Sequence, residues 1–281
     1  MRLLIAVLVA LLLSPLAFAD NETAVPDTPA APQAATAQAD GTPPVPADKD
    51  LLWQVSTIDA LLSGVYDGHT TFAELARHGG FGIGTFDALD GEMVATGGKF
   101  FQVRADGRAS LVDMKQTTPF ACVTHFDPEI FIAVDKVESL KDLLARIDPY
   151  LPGRNMFYAI KVTGAFDHVK TRSVPRQEKP YPPLAEVTKH QPEFEIENRG
   201  GDIVGIFSPP FVKQIGVPGY HLHYITEDRL AGGHLLDVRG HDLVVAVDVT
   251  PRFTLVLPDQ EQFQKVDYSK DKSEELKKVE K

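Results

Sequence analysis

The chain has 281 residues, of which 43% are hydrophobic and 24% charged, and its formal net charge is -11. That composition is ordinary for a globular protein, and lysine and arginine are not clustered, which argues against nucleic acid as a partner. The single cysteine, Cys122, excludes an intrachain disulfide, a zinc ribbon and an iron–sulfur cluster. Any metal must therefore be held by His, Asp and Glu.

Arg2 opens a short basic region, and residues 3–13 form an unbroken apolar run. Pro15 and Ala17-Phe18-Ala19 follow, so residues 1–19 read as a cleaved secretory signal peptide. The run is shorter than the ~20 residues that span a bilayer. The expected destination is the periplasm or the exterior, with no stable membrane anchor. Residues 20–50 are rich in Ala, Pro and Thr and lack aromatics, so they cannot bury a core and read as a disordered tether. Residues 51–281 are left as the folded region, with a boundary near 150, at residues 149–153, as one way to divide it into two subdomains.

Residues 57–65 have helical apolar spacing behind a Ser56/Thr57 cap. Thr71-x-x-Glu74 is a capping box for a second short helix, ended by Gly79-Gly80. Glycines and an Asp-Gly pair fill residues 81–91, which receive no element. Residues 93–96 and 99–103 flank Gly97-Gly98 as a hairpin. Asp106-Gly107 marks another turn. Val137, Leu140, Leu143, Leu144 and Ile147 repeat as one helical face. Beyond residue 156 strands dominate: 157–162, then 194–196 and 203–207 on either side of an Arg-Gly-Gly-Asp turn, then 243–249 and 253–257. Residues 273–280 read as a charged helical tail. These elements sum to a mixed α/β, β-rich fold with few helices. A mixed sheet is expected in the N-terminal half, and a mainly antiparallel, barrel-like sheet in the C-terminal half.

Tyr220-His221-Leu222-His223-Tyr224 is the strongest local signal. In a strand, His221 and His223 share one face. If residues 220–226 and 234–240 pair as a hairpin, His234 comes beside them. Three histidines around one ion leave coordination positions open, as in catalytic zinc sites. His241 is a rival third ligand, and a strand that merely exposes two histidines is the plainer reading. His221-x-His223-x3-Glu227 also resembles the first metal motif of cupins, although a second cupin motif is missing. Glu92 follows Gly91 at the start of a strand, either as a solvated turn residue or as a costly buried acid. Arg172 is either a carboxylate-binding fork or an edge-strand solubiliser.

Several blocks together resemble one family. Gly82 to Met93 reads GIGTFDALDGEM, similar to the GIGTFxxLDGEM segment of alpha-acetolactate decarboxylases. The stretch Arg172-Ser173-Val174-Pro175-Arg176-Gln177-Glu178-Lys179-Pro180-Tyr181 resembles a second block. Gly205-Ile206-Phe207-Ser208-Pro209, Pro218 to His223 and Gly232-Gly233-His234 resemble a third. The resemblance spans roughly residues 51 to 257. It implies a zinc-dependent carboxy-lyase that converts 2-acetolactate to (R)-acetoin and carbon dioxide. By motif, His221, His223 and His234 are the implied Zn2+ ligands, Glu92 and Arg172 are active-site residues, and Thr85 lines the pocket. A glutamate from the chain's end is implied near the metal, with Glu280 as its match. The expected partner is the small-molecule substrate, and a homodimer is compatible with the sequence.

The chemistry suits these residue types. The substrate's carboxylate lies beta to a ketone, and a metal that polarises the ketone stabilises the enediolate left by carbon dioxide. Arg172 can orient the carboxylate, and Glu92 can deliver the proton if its pKa is raised. The readings to be distinguished from this one are a cupin-like metal oxygenase or isomerase using His221, His223 and Glu227, and a non-catalytic periplasmic zinc-binding protein.

Overall fold

The computed structural model describes residues 49–280. The expected signal peptide and all but the last two residues of the expected tether lie outside that range. The first half carries strands β1 (Leu51–Val55), β2 (Thr70–Thr71), β3 (Phe81–Thr85), β4 (Glu92–Thr96), β5 (Lys99–Val103), β6 (Ala109–Leu111), β7 (Thr117–Thr118) and β8 (Ala121–Thr124). The second half carries β9 (Ile130–Val137), β10 (Phe157–Arg172), β11 (Glu193–Ser208), β12 (Gly219–Thr226), β13 (Gly232–Thr250) and β14 (Arg252–Val256). Between and after them lie the short helices α1 (Ile58–Leu62), α2 (Phe72–Leu75), α3 (Leu140–Ile147), α4 (Leu184–Val187), α5 (Glu261–Gln264) and α6 (Ser273–Val279).

The first sheet has seven strands in the order β14-β1-β8-β3-β4-β5-β6. It is mixed because β1 runs parallel to β14 and antiparallel to β8. The second sheet, β10-β11-β12-β13-β9, is antiparallel, and β10 also pairs with β13, closing a ring. A mixed sheet followed by a barrel-like antiparallel one is the architecture expected from the sequence.

Local chemistry explains most of the elements. The Thr57 side chain accepts from the Ala60 N–H at 3.2 Å, Thr71 from Glu74 at 3.1 Å and Ser139 from Asp142 at 3.1 Å, which caps α1, α2 and α3. Gly97 and Gly98 take φ of 59° and 75°, the left-handed pair that a two-residue hairpin turn needs between β4 and β5.

Three expectations are corrected. The glycine-rich stretch contains strand β3, which lies against β8 so closely that a Cβ on Gly84 would sit 2.6 Å from the Phe120 carbonyl oxygen. The glycines there permit close strand packing rather than a loop. Val137 ends β9, opposite Gly240, and the helix begins only at Leu140, behind its Ser139 cap. Residues 199–202 do not turn. They run straight through β11, with Gly201 opposite Gly164 on one side and Thr226 on the other. Pairing on both edges overrides the local turn preference of Arg-Gly-Gly-Asp.

The alternation of side chains along the strands defines two apolar layers. One face of the first sheet, with Leu52, Ile83 and Val94, packs with Val204, Ile206 and Ile225 of the ring. The other face, with Trp53, Val55 and Met93, is covered by Phe72 and Leu75 of α2. The opposite face of the ring strands carries Ile203, Phe207, Tyr224 and Val245, joined by Leu143 and Ile147 of α3. The first of these layers determines where the site lies.

Candidate metal centre and active site

His221 and His223 alternate in phase with Ile225 on β12, so their side chains face the layer between the two sheets. His234, on β13, is the cross-strand partner of His223. The hairpin pairs residues 223–225 with 232–234, a shorter ladder than the sequence suggested, because β13 then leaves β12 to pair with β10. Arg172, the last residue of β10, lies opposite His234. Across the layer, β3 and β4 bring Thr85 and Glu92, which are themselves cross-strand partners. The end of α6 brings Glu280.

One ring nitrogen from each of the three histidines lies within 4.8 Å of the others. His223 Nδ1 is 2.8 Å from the carbonyl oxygen of Met93. A carbonyl only accepts, so Nδ1 carries the hydrogen and Nε2 keeps a lone pair. That Nε2 is buried and has no hydrogen-bond partner. Burial holds His221 down to about 3, with the charge of Arg172 adding to the effect. Burial likewise pushes His223 and His234 well below the usual imidazole range. Three neutral imidazoles with a stranded, inward lone pair form a donor set that fits a borderline-soft divalent metal such as zinc.

The carboxylates approach from two sides. Glu92 Oε2 lies 3.5 Å from His223 Nε2. Glu280 Oε2 lies 3.9 Å from Nε2 of both His221 and His234. Burial raises Glu92 to about 7; Arg172 opposes that rise, Glu280 adds to it, and the Val174 N–H opposes it by donating a hydrogen bond. Burial also raises Glu280 to about 7, again against the pull of Arg172. Arg172 is 3% exposed, and its own pKa is lowered by burial, which the two glutamates counter. The Thr85 hydroxyl donates to the Gly91 carbonyl at 2.7 Å, pinning the β3–β4 connection that carries Glu92.

A half-enclosed cavity is lined by Thr85, Glu92, Arg172, His221, His234 and Glu280, with apolar walls from Leu61, Leu89 and Phe120. Every residue singled out by the family resemblance is therefore in or against one space. The alternatives are not assembled there. His241 is exposed beside Asp167 and Asp242, and Glu227 lies exposed beyond the end of β12. Sequence reasoning missed two contributors. The Met93 carbonyl, which fixes the His223 tautomer, carries no sequence signal because any residue supplies one. Gln191 also lines the cavity, and its Oε1 is buried without a partner. It lies between His190 and Pro192, outside any motif.

Residues 52–270 match the family model described as alpha-acetolactate decarboxylase. An alpha-acetolactate decarboxylase of Methanosarcina mazei is 49% identical over 232 residues, 83% of this chain and 81% of that one. The one from Methylococcus capsulatus is 46% identical over 229 residues, 82% of this chain and 88% of that one. The crystal structure of the alpha-acetolactate decarboxylase from Bacillus subtilis strain 168 superposes with a TM-score of 0.80 at 39% identity, covering 82% of this chain and 99% of that one.

Proposed function

The chain belongs to the alpha-acetolactate decarboxylase family, and we propose that it converts 2-acetolactate to (R)-acetoin and carbon dioxide using one zinc ion held by His221, His223 and His234. It is a carboxy-lyase. The observation that carries the zinc reading is the buried, unpartnered Nε2 of His223 among neutral imidazoles. When bound, the metal supplies Lewis-acid polarisation of the substrate's ketone, favouring the charge that develops there as carbon dioxide leaves.

The chain's own residues do the rest. Arg172, buried and cationic, attracts the substrate carboxylate into the cavity and sets its direction. Its charge is shared with Glu92 and Glu280, which limits how tightly it grips that carboxylate in the ground state. Glu92, raised to about 7, exists partly as the acid near neutral pH and can hand a proton to the carbon that lost the carboxyl group. Glu280 faces the other two histidines and is placed to act as a further metal ligand or as a second acid. Delivery of the proton from one fixed side yields one enantiomer. Gln191 offers an unpartnered amide oxygen for a substrate hydroxyl to donate to. The apolar walls exclude water from the reacting centre.

The same reading includes export through residues 1–19 to the periplasm or the exterior, a tether over 20–50, and a homodimer as one oligomeric state. Metal analysis of the purified protein, coupled to chiral analysis of acetoin made from racemic acetolactate, tests the proposal. Zinc near one per chain and a single acetoin enantiomer are expected. Metal binding without turnover would indicate a carrier, and redox-active iron an oxygenase.

A further inference from the structure

Outside the histidine cavity, three acids from distant parts of the chain meet. Asp50 precedes β1, Glu129 precedes β9, and Asp248 lies within β13. One carboxylate oxygen from each lies within 4.8 Å of the others. None of the three lines the histidine cavity.

Asp248 makes this more than a surface cluster of acids. It is 0% exposed. Its Oδ2 accepts from the Asp127 N–H at 3.0 Å, but its Oδ1 is buried with no hydrogen-bond partner. Its pKa is raised to about 6, mostly by burial, with Glu129, Asp50 and Asp127 contributing against the hydrogen bond from Asp127. The nearby cation Lys49 is paired with Asp127. Glu129 is held in place by its own bond, Oε2 accepting from the Val249 N–H at 3.0 Å. A buried carboxylate that meets two other acids and has one oxygen without a donor is costly unless something positive sits there.

We propose that Asp50, Glu129 and Asp248 bind a calcium ion at a structural site separate from the histidine centre. The donors are all hard oxygens, which suit calcium and disfavour a nitrogen- or sulfur-seeking metal. Calcium accepts six to eight oxygens in irregular arrangements, so three carboxylates and water at the exposed Glu129 side satisfy it, whereas magnesium demands a tighter octahedron. The ion ties the start of β1, in the first sheet, to β13 and the approach to β9 in the second.

The test uses the full chain as purified, with its histidine-bound metal, dialysed into calcium-free buffer. Calcium binding is measured by equilibrium dialysis, and melting is followed with CaCl2 against NaCl of equal ionic strength. Wild type should bind one calcium per chain and melt at a saturably higher temperature with calcium. Asp248→Asn and Glu129→Gln should each weaken binding by at least ~10-fold, and Asp248→Asn should melt no lower than wild type in calcium-free buffer because the repulsion is gone. Glu129 is exposed, so its variant reports even if the Asp248 variant folds poorly. No saturable calcium binding in wild type, or binding unchanged in Glu129→Gln, overturns the proposal.

Discussion

Arg172 donates from Nη2 to the main-chain carbonyl of Val279, the residue before Glu280. The same guanidinium is the charge that opposes the raised pKa of both Glu92 and Glu280. One buried cation thus anchors the end of α6 through the backbone and keeps two acids tolerable beside the histidines. Because the anchor is a carbonyl, it survives side-chain changes at 280. Glu280→Gln should leave α6 docked, seen as unchanged amide-exchange protection of Leu276 and Val279, while kcat falls at least ~10-fold. Loss of that protection in the Gln variant would place the docking force in the Glu280 side chain instead.

Glu92→Gln keeps size and hydrogen-bonding capacity while deleting the ionisable proton. It should retain metal and near-normal stability, and lose kcat by roughly 10²-fold or more, the usual scale of general acid catalysis. Steady-state kinetics with metal analysis separates the outcomes. An unchanged kcat would remove Glu92 from proton delivery.

His223→Ala removes a proposed metal ligand whose Nδ1 hydrogen is already committed to the Met93 carbonyl. Bound metal and activity should fall together, by more than the ~10–100-fold typical of losing an outer hydrogen-bond partner. His241→Ala, at an exposed position, should change neither. Full metal occupancy in His223→Ala would show that the ion is held elsewhere.

Gly84→Ala tests whether β3 is a closely packed strand. The added methyl would meet backbone at Phe120 and Ala121, atoms that cannot swing away. The cost should reach ~3 kcal/mol, at the upper end of overpacking. Denaturant unfolding checks this, and a change below ~1 kcal/mol would mean that β3 and β8 are free to separate.

Asp202 is 4% exposed at its side chain and receives Arg229 Nη2 at 2.6 Å and Thr163 Oγ1 at 2.7 Å. Burial raises its pKa, but those bonds and the charges of Lys161 and Arg229 outweigh it and leave the value below 3.8. A depressed folded-state pKa stabilises the fold above the unfolded value, and that stabilisation is lost as pH falls through the folded value. Asp202→Asn should therefore cost ~1–3 kcal/mol at pH 7, discounted for the partly exposed cations. The gap to wild type should close below about pH 3.8. Urea titrations at both pH values read the difference, and a gap that persists in acid would assign it to packing rather than charge.

Much of the site was legible because its residues sit in contiguous strand motifs. The i, i+2 spacing of His221 and His223 fixed their common face, and the β12–β13 hairpin brought His234 opposite. Glu92 and Arg172 were ambiguous from local chemistry, since each also reads as an ordinary surface charge. Only the face of β4 and the end of β10, both determined by long-range packing, turn them inward. The same limit explains the errors in the fold. Gly82, Gly84, Gly200 and Gly201 look like turn residues locally, yet neighbouring strands draw all four into ladders. Gln191 carried no local signal, because its role comes only from what α4 and its continuation face.

The parallel pairing of β1 with β14 bears on how the protein is made. Synthesis delivers Leu51–Val55 early and Arg252–Val256 roughly two hundred residues later. A chain that folds from its N-terminal end and has already formed β8 can pair one side of β1, while the other side stays an unmet template for any passing strand. Docking of β14 is what closes that edge, so a chain in which it is delayed is exposed to misassembly whatever the stability of the finished protein.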